Sequence, residues 1–178
     1  MDFEALSQWR RAAFCCAMAE RNKNHAILFS EMLDQDSKPY SKLLQKNWSF
    51  LEGELKSLDN LERFFNDFDQ WQTGLLNEQD SFGAEAAQQA CQSLYSASYA
   101  LLDETANDCD LVQLSNQQLF TAMADMEQET SELEQRHSEF ESDVFELLIS
   151  GKPKREIIKA LKALASSEKE SSLGIALD

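Results

Sequence analysis

Residues 84–102 read AEAAQQACQSLYSASYALL, and this stretch decides the fold. Ala86, Ala90, Cys91, Leu94, Tyr95, Ser98, Leu101 and Leu102 recur three and four apart, the spacing of one helical face. Half of these side chains are small, so neighbouring helices can approach closely, as they do around the central helix of a bundle. Asp80 or Ser81 supplies a cap, and the helix is expected to run to about Asn107.

Helical stripes flank it on both sides. A first helix is expected from about Phe3 to Arg21, capped by Asp2 and apolar all round at Ala12–Ala19. A break at Asn22-Lys23-Asn24 leads to a short helix from His25 to Leu33, with Ala26, Ile27, Phe29, Met32 and Leu33 inward. Pro39 opens a third helix, whose stripe is Tyr40, Leu43, Leu44, Asn47, Trp48, Leu51 and Leu55. Asp59-x-x-Glu62 reads as a capping box for a fourth, with Leu61, Phe64, Phe65, Phe68, Trp71 and Leu75 inward. With Arg63 as the one cation among them, these aromatics read as core rather than as a base-stacking platform.

Beyond the central helix, Ser115-x-x-Gln118 reads as another capping box. From Leu119 to Leu147 a heptad seam passes through Met123, Met126, Thr130, Leu133, His137, Phe140 and Val144. It is either one long helix or two collinear ones broken near Thr130-Ser131, where Ser131-x-x-Glu134 offers a new cap. Gly151 and Pro153 stop that helix and start a last one, which buries Ile157, Leu161, Leu164 and Ala165. The tail, residues 171–178, alternates Leu173, Ile175 and Leu177 and is expected to dock in extended form. The expectation is an all-α, single-domain bundle of seven or eight helices with short loops, spanning residues 1–178.

Composition agrees. The 178 residues include two Pro, five Gly, two Val, five Ile and four Thr, too few β-branched residues for a sizeable sheet. No stretch approaches the ~20 apolar residues of a membrane span. Arg10-Arg11 before Ala12–Ala19 and Glu20-Arg21 after it make a secretory leader a poor reading of that run. Cys15, Cys16, Cys91 and Cys109 form no C-x-x-C or Cys/His cluster. Reduced thiols in a cytoplasmic protein are therefore expected, with neither a disulfide framework nor a zinc site.

The first thirty residues carry a resemblance. Leu6-x-x-Trp9, Phe14, Cys16-Ala17, Glu20-Arg21 and the Asn24–Phe29 stretch resemble the YjaG-like gammaproteobacterial family of uncharacterised proteins (domain of unknown function, family 416). Asp80-x-x-Gly83 and Gly174-Ile175 are similar to that family's central loop and C-terminus, whereas Glu127–Glu134 departs from it. The resemblance implies a compact helical cytoplasmic domain. It implies no catalytic or binding residues.

The chemistry-bearing residues are sparse. Glu134-x-x-His137 matches half of a di-iron carboxylate motif, and these two residues are the candidate metal ligands. The other histidine, His25, has Asn22 three residues before it, so the second half is missing and no metal or cofactor is expected. The five glycines are scattered, so there is no phosphate loop, and no spacing brings a histidine to Cys15 or Cys16 for nucleophilic catalysis.

Charge is the least ordinary feature. Between Asp59 and Glu146 lie twenty Asp and Glu against Arg63 and Arg136, a block at −18 that leaves +2 for the rest of the −16 total. A solvated surface and a docking face for a basic partner both explain it. Lys152, Arg155, Lys159, Lys162 and Lys169 share a face of the last helix. They are expected to face water or acidic helices rather than nucleic acid or a membrane. The functional expectation is a non-enzymatic interaction protein offering an acidic helical surface to a basic protein partner, with a homo-oligomer not indicated. The alternative is an enzyme or small-molecule binder with a pocket between helices.

Overall fold

The computed structural model describes residues 1–177. Eight α-helices follow a single 3-10 turn, Phe3–Ala5: α1 (Gln8–Arg21), α2 (Lys23–Met32), α3 (Lys38–Leu51), α4 (Leu58–Leu76), α5 (Phe82–Leu102), α6 (Cys109–Asp125), α7 (Ser131–Leu148) and α8 (Lys154–Ser167). The expected all-α bundle is present.

α1 and α5 form the centre and make the most extensive pairing in the molecule. Every residue from Ala12 to Ala19 is buried, as an apolar circumference requires. Ala86, Ala87, Ala90, Ala97 and Ala100 bring the α5 backbone close to its neighbours. Around this pair stand α2, α3, α4 and α6 against α5, and α3, α6, α7 and α8 against α1. One core cluster runs from Phe3 to Ala165 and includes the fully buried Phe14, Tyr40, Phe68 and Ile157. Each such apolar side chain contributes about 1.5–3 kcal/mol by leaving water. The α3 stripe is buried from Tyr40 to Leu51, and Leu55 packs on the core from beyond the helix end.

Several boundaries differ from the sequence reading, each for a local reason. The first helix is broken: Leu6 and Ser7 are extended, because Phe3 and Leu6 both turn into the core. Asp2 caps only the 3-10 turn. Met32 is 80% exposed rather than inward, since α2 ends there and Asp34 turns the chain with φ 55°. Ser57, not Asp59, caps α4, accepting from the Asn60 N–H at 3.1 Å. α5 stops at Leu102, short of Asn107, because the Asp103 carboxylate takes the Thr105 N–H and hydroxyl and closes a turn.

α6 begins six residues before Ser115, at Cys109, so Ser115 lies mid-helix with its hydroxyl on the Val112 carbonyl. The heptad seam is two helices, parted where Glu127 takes φ 62°. Thr130 is the residue before α7, and Ser131 is its first residue rather than its cap. Pro153 precedes α8 instead of lying in its first turn. The tail docks, but as a turn: Ser171 N–H donates to the Ile175 carbonyl, and Glu170 and Ala176 form an antiparallel bridge. Leu173 is buried there, while Leu177 is 38% exposed. Asp178, the last residue of the expected tail, lies outside the described residues.

Candidate functional site

Two features stand out: a charged surface, and a polar seam beneath it. The twenty acids of the −18 block lie on α4–α7 and their loops. Sixteen are exposed, and Asp69, Asp103 and Asp108 are half-buried. Among the described residues none of the twenty meets a lysine or an arginine, and Glu141 alone meets a histidine, His137. The two cations of the block do not relieve the rest. Arg136 pairs with Glu168 and Glu170, outside the block, and Arg63 lies over the Phe64 ring. The helices therefore present most of these acids to solvent with no lysine or arginine beside them among the described residues.

An open groove of about 550 Å³ crosses this surface between α5 and α6. Its charged lining is Glu85 and Asp125, with no cation; Gln88, Gln92 and Gln118 add amides, and Leu111, Leu119 and Ala122 add apolar area. Ser81 caps α5 by accepting from Ala84 N–H, and the turn after it sets Glu85 on the solvent side. Leu111, 46% exposed, makes the groove partly apolar.

Gln89 forms the groove's inner edge and belongs to the seam below. Asn22, at the α1–α2 junction, donates through Nδ2 to Gln89 Oε1 at 3.1 Å and to Asn116 Oδ1 at 3.4 Å. The tail completes it: Ser172 N–H donates to Asn22 Oδ1, and Ser172 Oγ donates to Asn116 Oδ1, both at 2.9 Å. His25 Nε2 lies 2.8 Å from Ser171 Oγ, which also accepts from the Leu173 and Ile175 N–H groups. His25 and Ser171 share one hydrogen bond, whose donor is set by the ring's tautomer. Burial pushes the His25 pKa down to about 4, so the ring is neutral at pH 7. Ser171 beside a histidine has the elements of an activated nucleophile, but it is 1% exposed and its oxygen is held by the tail's own turn.

The structure separates the two candidate metal ligands. Glu134 is exposed and accepts from the Thr130 hydroxyl. His137 is buried and pairs one turn onward with Glu141, which also accepts from Gln113 Nε2 at 2.6 Å. Among the described residues no three His, Cys, Asp or Glu gather in a metal-holding group. Cys15 and Cys109 approach to 4.0 Å between sulfurs; a mutual hydrogen bond and burial hold the Cys15 pKa well above a thiol's usual value, the opposite of activation. Sequence reasoning missed Glu141, Gln113 and the Asn22–Gln89–Asn116–Ser172 cluster. The i, i+4 spacing of His137 and Glu141 on one helix was the single available signal.

No helix among the described residues is long and apolar enough to cross a membrane. A solved structure of a DUF416 family protein from Shewanella baltica OS155 superimposes with a TM-score of 0.77, over 98% of this chain and 96% of that one, at 18% identity. That likeness establishes the fold. An uncharacterised protein of Haemophilus influenzae is 30% identical over 103 residues, covering 56% of this chain. The match spans 50% of that relative's length. The model of the family described as "Protein of unknown function (DUF416)" matches residues 2–176, and the chain belongs to that family.

Proposed function

We propose that this chain is a non-enzymatic interaction protein whose acidic α4–α7 surface receives a basic protein partner, with the α5–α6 groove as the centre of contact. The observation that carries this is the ionic isolation of the surface: nineteen of its twenty acids have no ion-pair partner among the described residues. Unpaired carboxylates on a rigid scaffold repel one another, and a cationic partner removes that repulsion as it docks. Such a surface speeds encounter and selects partners by charge. The groove adds what charge alone lacks, an apolar strip and amides that can bond a partner's backbone.

Several carboxylates and His137 converging in an open cavity would favour the alternative reading, an enzyme or small-molecule binder with a pocket between helices. His137 instead meets one carboxylate in the interior, and the seam is stoppered by the tail. The basic-partner reading is tested with a labelled Lys/Arg-rich amphipathic peptide, followed by fluorescence anisotropy. Saturable binding, weakened about tenfold or more by Glu85→Lys with Asp125→Lys, supports it. Equal weakening by Asp59→Lys with Glu62→Lys on α4 reduces the groove to one part of a diffuse field, and no binding at low salt contradicts the proposal.

A further inference from the structure

Arg21 sits in an unfinished ion pair. Its side chain is 4% exposed, and its guanidinium carbon lies 4.4 Å from the centre of the Phe140 ring. A guanidinium carries five N–H donors and stays charged, so a buried one calls for close acceptors. Arg21 Nη1 reaches Glu168 Oε2 at only 3.4 Å, well beyond the 2.7–2.9 Å typical of charge-assisted bonds. Its Nε is buried with no acceptor at all. Burial draws its pKa down, and Glu168 partly restores it.

A second arginine converges on the same atom. Arg136 Nη2, from α7, lies 3.2 Å from Glu168 Oε2, and 3.5 Å from Glu170. Glu168 is the residue just past α8 and is itself about half exposed (49%). Hollows open on both sides of it. One of about 220 Å³ has Arg21, Lys23 and Lys169 in its lining along with the carboxylates of Glu20 and Glu168, and one of about 110 Å³ has Arg21 and Arg136. Lys23 is engaged by Glu20 at 3.1 Å. Glu139 and Asp143 border the smaller hollow, but both are exposed.

We infer that Arg21 and Arg136 form a binding site for a small-molecule oxyanion, a carboxylate or phosphate, in which Glu168 stands as an internal substitute. The geometry that leaves Glu168 one-toothed and distant on Arg21 suits an incoming group with two or three oxygens. Such a group takes Nε and Nη of Arg21 together and keeps Arg136, while Glu168 swings into solvent. Phe140 fixes the plane of the Arg21 fork beforehand. The −16 of the whole molecule opposes an approaching anion, yet most of that charge lies on exposed groups screened over about 10 Å at 0.1 M salt. The two guanidinium groups act at contact distance.

The test uses the full chain labelled with nitrogen-15 and follows the Arg21 Nε–Hε resonance at constant ionic strength. Inorganic phosphate and succinate are titrated separately, so the arm that saturates names the oxyanion. Glu168→Gln removes the internal carboxylate's charge and is expected to tighten binding about tenfold; adding Arg136→Gln is expected to weaken it about tenfold. Both positions are half-exposed, so neither change threatens the core. The inference is overturned if neither anion moves the Arg21 resonance saturably in Glu168→Gln. It is equally overturned if wild type and Glu168→Gln bind alike, or if Arg136→Gln leaves the affinity unchanged.

Discussion

The backbone N–H of Ser172 donates to the side-chain oxygen of Asn22 at 2.9 Å, tying the end of the chain to the junction of its first two α-helices. The relationship explains how residues 171–177, which form no helix, are held against the bundle. Asn22 is fully buried with one amide serving Gln89, Asn116 and Ser172 together. Gly174 makes the return possible, because its φ of +76° lies in the left-handed region that glycine enters without strain.

Ending the chain after Glu170 removes buried Leu173 and leaves Asn22, Asn116 and His25 without tail partners. The expected loss of stability is about 3–5 kcal/mol, from the apolar burial and the orphaned polar groups. Urea denaturation measures it. A truncated chain within about 1 kcal/mol of the intact one would show the tail to be ornamental.

His25 sets an acid limit. Its folded pKa, about 4, lies below its ordinary value of 6.5 because burial disfavours the charged ring. Between those values the unfolded chain holds the proton and the folded one does not. The stability it contributes is therefore full above about pH 6.5 and falls as pH drops toward 4, by up to about 1.4 kcal/mol per unit. His25→Gln should lose that dependence. Unfolding free energies of both proteins at about pH 7 and about pH 5 check it, and parallel changes in the two would contradict it.

Tyr40 closes the end of α1. Its hydroxyl donates to the Ala19 carbonyl at 2.7 Å, in a last turn where helix carbonyls lack partners. Tyr40→Phe should cost about 1–3 kcal/mol, because the ring still fills its space while the carbonyl stays buried and unpaired. A denaturation midpoint that does not move would show that another donor takes over.

Moderate salt should raise the melting temperature. The α4–α7 carboxylates repel each other most when compact, and ions screen exposed charges. Calorimetry from low salt to about 0.3 M NaCl, well into the screening regime, reads the effect. A flat or falling trend would mean that the acids lie too far apart to matter.

Legibility of the sequence followed the range of the interaction. The α3 face from Tyr40 to Leu51 could be read because burial repeats with the helical period. Helix ends could not, because they are decided by single side chains such as Asp103 closing on Thr105 or Ser57 capping Asn60. The Glu134/His137 spacing pointed to a pair, whereas the fold turned His137 to Glu141 and left Glu134 to Thr130. The polar seam was illegible, since Asn22, Gln89, Asn116 and Ser172 come from four separate segments with no common period. The charge block was plain in the sequence. That its two arginines leave it unrelieved was not, and only the positions of Arg63 and Arg136 reveal it.

The central claim, an acidic surface made to receive a basic protein, is tested most directly by native capture on the intact chain at low and moderate salt, with mass spectrometry of what is retained. The account predicts a basic protein held by wild type at low salt, released as salt screens the contact, and missing from Glu85→Lys with Asp125→Lys. Retention of the same proteins by wild type and the charge-reversed chain, or of none with an excess of basic residues, would contradict it.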